Sequence, residues 1–211
     1  MKITKRVRIN DLDTTHHQQV ATAVQAARDW KTRMIGGDLD ASLVLSGPYG
    51  TGKTHIAKSI LWSTVYTVEG KPDVVVPVGR FFIANELLTR LAPSQDKITN
   101  ALEMPRPSSL VGNAPMVIID DVGGQQIIPY VSRDDQDGER HARYFRFIDY
   151  CYTAMVSVII TTNLSIEGLE DSQFARHIGG RAFDRLSEMA PVGFMVGLDG
   201  VPSWRQKQGG R

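Results

Sequence analysis

The sequence predicts an α/β domain built on a parallel sheet with helices on both faces. Apolar strand-like runs alternate with helical ones along 211 residues, a length that suits one domain with its own core. One strand–loop–helix passage contains Gly47-Pro48-Tyr49-Gly50-Thr51-Gly52-Lys53-Thr54, the G-x-x-x-x-G-K-[ST] spacing in its proper setting. A second apolar run, Met116-Val117-Ile118-Ile119, ends in Asp120-Asp121, which puts acids at the sheet edge where open α/β folds bind ligands.

The elements follow in order. Val20, Val24, Ala27, Trp30 and Met34 share one face of a helix from His17 to about Met34, and Gly36-Gly37 ends it. The strand Ala41–Leu45 enters the glycine-rich loop. A helix from Lys53 to about Glu69 leaves it, with Ile56, Ile60, Leu61, Thr64 and Val68 inward, and Gly70-Lys71-Pro72 breaks the chain. Val74–Phe82 reads as one strand, with Pro77 marking an edge position or an irregularity. A short helix covers about Asn85 to Leu91.

Residues 93–115 are polar and rich in Pro, Ser and Asn, and read as a surface excursion with one helical turn around Ile98–Leu102. Beyond the Asp-Asp strand, 123–138 is charged and irregular, a solvated insertion or a partner loop. A helix from about Glu139 to Thr153, the strand Val156–Ile160, a helix Gly180–Met189 and a last strand Gly193–Leu198 complete the chain.

Composition narrows the partners. Lys and Arg number 24 against 23 Asp and Glu, a net charge of +1 that argues against a strongly basic nucleic-acid module. Basic residues do gather at the ends (Lys2, Lys5, Arg6, Arg8; Arg205, Lys207, Arg211), where they either contact phosphate backbones or are simply solvated. Lys97, Arg106 and Arg90 are further candidates for DNA contact by charge alone. The single Cys151 cannot close an internal disulfide and sits in an apolar helical stretch, so a buried thiol is expected. The five histidines lack metal-ligand spacing, so no zinc site is assigned. No signal peptide or membrane span is recognised, and the expected location is cytoplasmic.

The loop has one chemistry. Glycines let successive N–H groups curl around a phosphate, and the following helix aims its orphan donors and positive dipole end at the same anion. Lys53 is placed for the β- and γ-phosphates of a nucleoside triphosphate, and the Thr54 hydroxyl for Mg²⁺. Asp120 is the second candidate for holding Mg²⁺, and Asp121 the candidate base that orients or deprotonates water. Ile159-Ile160-Thr161-Thr162-Asn163 brings Asn163 to the same edge, either to sense the γ-phosphate or as an ordinary strand ending. Arg181 and Arg185, four apart, share one helix face, and Arg185 either pairs with a nearby acid such as Glu188 or Asp184 or offers an arginine finger to a neighbouring subunit. Ser203-Trp204-Arg205 follows the last strand and can return an arginine to the nucleotide.

In this order the motifs resemble the AAA+ ATPases of the DnaC/DnaI/IstB type, which include replicative-helicase loaders and the ATP-binding helpers of insertion sequences. The resemblance rests on Ser46-Gly47-Pro48-Tyr49-Gly50-Thr51-Gly52-Lys53-Thr54-His55, Ile118-Ile119-Asp120-Asp121-Val122-Gly123, Ile159-Ile160-Thr161-Thr162-Asn163-Leu164-Ser165, Arg181-Ala182-Phe183-Asp184-Arg185-Leu186 and Ser203-Trp204-Arg205. It implies an AAA+ P-loop core with a parallel five-stranded sheet in the order 5-1-4-3-2. The domain is expected over 16–205, behind a basic segment 1–15 and before a flexible tail 206–211, with no separate helical lid expected because little follows Arg205.

It implies ATP and Mg²⁺ as cofactors, with residues 47–54 and His55 at the nucleotide, Thr54 and Asp120 at the metal, and Asp121 as base. Asn163 would be sensor 1, Arg185 the finger in trans with Arg181 as its alternative, and Arg205 sensor 2. It also implies a homo-oligomer formed with ATP, single-stranded DNA along its inner surface, and a replicative helicase as client.

Two departures stand out. An Asp occupies the base position where Glu is commoner, which suggests slow hydrolysis. About forty residues precede the loop strand, mostly one core-type helix, so a helicase grip would lie elsewhere, for instance in the basic start, or the client differs. A transposition helper that recruits a transposase is the near alternative. A nucleotide-gated adaptor and a small-molecule kinase are the others, the kinase disfavoured because no Arg-rich lid lies between Asn163 and Arg181.

Overall fold

The computed structural model describes residues 7–36, 42–68, 71–77, 79–91, 116–124, 128, 131–190 and 193–204. Helix α1 is Gln18–Ile35, strand β1 Leu43–Ser46, helix α2 Lys53–Ser63, and strands β2 and β3 are Val65–Val68 and Lys71–Pro77. Strand β4 is Gly79–Ile83, helix α3 Ala84–Arg90, strand β5 Met116–Val122 and helix α4 Gln136–Thr153. Strand β6 is Ser157–Thr162, helices α5 and α6 are Gln173–Ile178 and Gly180–Met189, and strand β7 is Met195–Gly197.

The main sheet has five strands in the order β4-β5-β6-β1-β7, all parallel neighbours. Counted along the chain within that sheet this is 2-3-4-1-5, the expected 5-1-4-3-2 read from its other edge. Successive strand residues point to opposite faces, so each strand feeds two cores. Leu43, Leu45, Ile118 and Ile159 join Trp30, Val24 and Ile60 on the side of α1 and α2. Val44, Val117, Ile119, Val158 and Ile160 join Tyr144, Phe147, Phe174 and Phe183 on the side of α4, α5 and α6. Strands buried on both faces read as unbroken apolar runs, which is why these were readable in the sequence.

The register brings the carboxyl ends of the central strands level. Ser46 pairs with both Thr162 and Gly197, and Val122 pairs with Thr162. Side chains secure that edge: Ser46 Oγ donates to Leu164 O at 2.9 Å, and Thr162 Oγ1 to Val122 O at 2.7 Å.

Several expectations are corrected. The helix after the loop stops at Ser63, and Thr64 and Val68 do not extend it. Val65, Tyr66, Thr67 and Val68 are β-branched or aromatic, and they form β2, paired antiparallel with β3 in a separate hairpin. The single strand 74–82 is two strands: β3 completes the hairpin, while β4 joins the main sheet beside β5. Pro77 stands at the junction, where a residue without an N–H cannot continue a ladder. Helix α4 begins at Gln136, so part of the expected irregular segment 123–138 is helical. The Gln136 side chain ties the start of α4 to Ile128 N and O and to Val131 O at 2.8–3.0 Å.

Helix α5 was not anticipated. Ser172 caps it by accepting from Ala175 N at 3.0 Å, and Gly179 at φ 89° ends it. The turn around Ile98–Leu102 and the tail 206–211 lie outside the described residues. Within the first fifteen residues, a short 3₁₀ turn Ile9–Asp11 buries Ile9 in the α1–α2 core, and Ile9 N donates to Ser63 Oγ at 2.7 Å. Among the described residues no helix is long and apolar enough to cross a membrane.

Candidate active site

The loop between β1 and α2 adopts a backbone that its glycines permit. Gly47 sits at φ 139° and Gly50 at φ 83°. A Cβ on Gly47 would stand 2.9 Å from Leu198, and one on Gly50 2.1 Å from Ser203 Oγ, so both are closed to side chains. Helix α2 starts at Lys53, and its first N–H groups face the loop. Lys53, only 7% exposed, donates from Nζ to Gly47 O at 2.6 Å and Pro48 O at 2.7 Å. Its charge is thereby folded over the loop mouth. Thr51 Oγ1 closes the turn on Pro48 O at 3.0 Å.

Strand β5 supplies the acids. Thr54 Oγ1 donates to Asp120 Oδ1 at 2.8 Å, joining the loop helix to the neighbouring strand end. Thr161 Oγ1 donates to the same oxygen at 2.6 Å and accepts from Asp121 N at 3.0 Å. Between Ile119 and Val122 the β5–β6 register shifts, and Asp121 takes φ 62°. A left-handed non-glycine residue stores strain, and such residues cluster at functional sites. Asn163 Nδ2 donates to Asp121 Oδ1 at 2.7 Å. Thr54, Asp120, Asp121 and Asn163 are thus linked at one sheet edge.

These groups line a cleft of about 760 Å³. Tyr49 and His55 line it with the loop, and so do Leu12, Asp13, Val20, Val24 and Trp204, which the sequence reading did not place there. Val20 and Val24 look like ordinary core positions of an amphipathic helix, and they are buried there, so nothing in the sequence marks them as lying behind the cleft. Trp204 N donates to Gly50 O at 3.0 Å, and its ring meets the His16 ring edge-on with centroids 5.0 Å apart. His16 Nε2 in turn contacts Asp13 Oδ2 at 2.7 Å. Thr15 N and Oγ1 also donate to Asp13, and with His16 they hold this exposed carboxyl below its usual range. Thr161 was missed too, because Thr-Thr-Asn is an ordinary strand ending until its hydroxyl is seen bonding both acids.

Arg181 and Arg185 do not line the cleft. Arg181 stacks its guanidinium 4.1 Å from the Phe145 ring centre. Arg185 pairs with Asp149 at 3.2 Å and with Glu188 at 3.1 Å; of the two acids suggested for it by sequence, Glu188 is a partner. Arg205 lies outside the described residues, though Ser203 and Trp204 bring the chain against the loop just before it. Lys97 and Arg106 also lie outside them, and Arg90 is exposed at the end of α3. Cys151 is buried, and burial raises its thiol well above the ordinary range.

The donor set suits a magnesium nucleotide: a hydroxyl and a carboxylate oxygen 2.8 Å apart, beside a loop lined with backbone N–H groups and a lysine. The sheet order and this edge are those expected of the AAA+ P-loop fold. Solved structures with a similar fold include the DnaC helicase loader and DnaI. The DnaC helicase loader is similar over 88% of this chain and 94% of its own, with 20% identity and a TM-score of 0.61. DnaI is similar over 88% of this chain and 89% of its own, with 18% identity and a TM-score of 0.58. At such identities the likeness is one of fold, and at that level the resemblance to the DnaC/DnaI type holds. No family model matches the chain, and no curated protein matches it in sequence.

Proposed function

We propose that this protein is an ATP-dependent DNA-replication factor, a helicase-loader-like AAA+ ATPase of phage or mobile-element type. It oligomerises with ATP, binds single-stranded DNA and acts on a replicative helicase. The observation that carries the ATPase reading is the linked set Thr54–Asp120 and Asp121–Asn163 at the sheet edge beside the loop. The likeness in fold to a helicase loader supports the client class.

Thr54, through its oxygen lone pairs, and Asp120 would hold Mg²⁺, which would supply positive charge against the phosphates. Lys53 would turn from the carbonyls of Gly47 and Pro48 to the phosphates. Asp121 would orient the attacking water and accept its proton, with Asn163 fixing one oxygen of that carboxylate. Leu12 and Trp204, with Val20 behind them, would give the nucleobase an apolar wall. Since Arg185 does not line its own cleft, it would serve a neighbour's site.

The test is ATP hydrolysis per subunit against protein concentration, with and without single-stranded DNA. A rate that climbs with concentration and rises further with DNA is expected. A flat rate indifferent to DNA would replace this reading with a self-contained kinase or adaptor site. Preference for duplex DNA would favour the transposition helper.

A further inference from the structure

Two elements converge on the Arg185 side chain. From α6, its Nε donates to Asp149 Oδ1 at 3.2 Å and its Nη1 to Glu188 Oε2 at 3.1 Å. Its guanidinium carbon lies 4.8 Å from the centre of the Tyr152 ring. Asp149 and Tyr152 are three residues apart on α4, and Glu188 follows Arg185 by three on α6, so the helix pair itself sets the position. The hydrogen bond with Glu188, then the charges of Glu188 and Asp149, hold the guanidinium all the more firmly in its charged form.

Such company weakens a finger. Two carboxylates against one guanidinium leave the group negative as a whole, and they occupy N–H donors that a phosphate would need. All three side chains are partly exposed, at 37% for Arg185, 40% for Asp149 and 51% for Glu188. Pairs of that exposure are shallow and screened by water, so they restrain the arginine without locking it. Building on the reading of Arg185 as a finger for a neighbour's site, we propose that Asp149 and Glu188 are positioning residues that park it. A neighbour's bound triphosphate, with more charge and more acceptor oxygens, draws Arg185 out of the cage. Parking then sets the protein concentration at which shared sites form.

The test measures turnover against protein concentration for wild type, Glu188→Gln, Asp149→Asn, Glu188→Asp and Arg185→Ala, with nucleotide binding and melting temperature recorded for each. Gln and Asn keep size and hydrogen bonding but remove the competing charge. Both neutral variants are expected to reach half-maximal turnover at about two- to fivefold lower protein concentration, Glu188→Asp to follow wild type, and Arg185→Ala to bind nucleotide without turning it over. A merely structural role would lower the melting temperature and would not move the concentration dependence in that direction. An unchanged or higher half-maximal concentration in the neutral variants overturns the parking and leaves the finger in place. Wild-type turnover by Arg185→Ala overturns both.

Discussion

Thr161 holds the candidate catalytic edge together with one hydroxyl. It donates to Asp120 Oδ1 and accepts from Asp121 N, so it fixes the proposed metal-side acid and the strained backbone of the proposed catalytic base at once. Replacing it with Val keeps the β-branch and the volume but takes the side-chain acceptor from Asp121 N and leaves Asp120 Oδ1 with the Thr54 hydroxyl alone. Residues that orient a metal ligand from behind typically contribute about 10–100-fold to metal affinity or activity. Thr161→Val is therefore expected to lower hydrolysis by about that factor, with most of the loss recovered at high Mg²⁺. Turnover titrated with Mg²⁺ checks this, and an unchanged Mg²⁺ dependence counts against the role. That Lys53, Thr54, Asp120 and Asp121 meet at one cleft was legible from motif spacing; the place of Thr161 among them was not, because a strand-end threonine has no such signature.

At the scale of elements, what could be read depended on whether local pattern and tertiary setting agreed. Strands β5 and β6, buried on both faces, announce themselves as apolar runs. The passage after α2 misled because Ile56, Ile60, Thr64 and Val68 keep a helical spacing past the point where β-branched residues take over. Helix α5 was missed although Ser172 and Gly179 bracket it, since six residues hold too short a periodicity to notice.

Its last turn carries His177, whose imidazole burial, aided by the charges of Arg140 and His141, pulls down to about 4 from an ordinary 6.5. The unfolded chain therefore takes up this proton first. Stability from the neutral His177 is complete above about pH 6.5 and is lost as the pH falls toward about 4. The wild-type melting temperature should drop over that interval, and His177→Gln should drop less. Melting curves from about pH 7 to about pH 4.5 test it, and equal slopes would remove His177 as the cause.

Across the whole molecule, the cleft joins parts of the chain that lie far apart in sequence. Leu12 and Asp13 come from its start, the loop from β1, the acids from β5, and Trp204 from its far end. The loop and the acids could be located from sequence because motif order in an α/β sheet maps onto one edge. The wall at the two ends could not, since Leu12, Val20 and Trp204 have no spacing to betray a shared surface. Their convergence has a thermodynamic consequence. A nucleotide that touches both ends as well as the loop binds the folded chain alone, so it stabilises the whole domain. At a free concentration 100 times its Kd the gain is about 2.7 kcal/mol, or a rise of about 5–10 °C in Tm for a domain of this size. Hydrogen exchange should slow at residues 9–16 and 201–204 together with the loop, because Trp204 N already bonds Gly50 O and Ile9 N already bonds Ser63 Oγ on the loop's own helix. Trp204→Ala should raise the nucleotide Kd and uncouple the far end from that protection. If protection stays confined to residues 47–54, the nucleobase does not reach the wall formed by residues from the chain's two ends, and the cleft binds the phosphates alone.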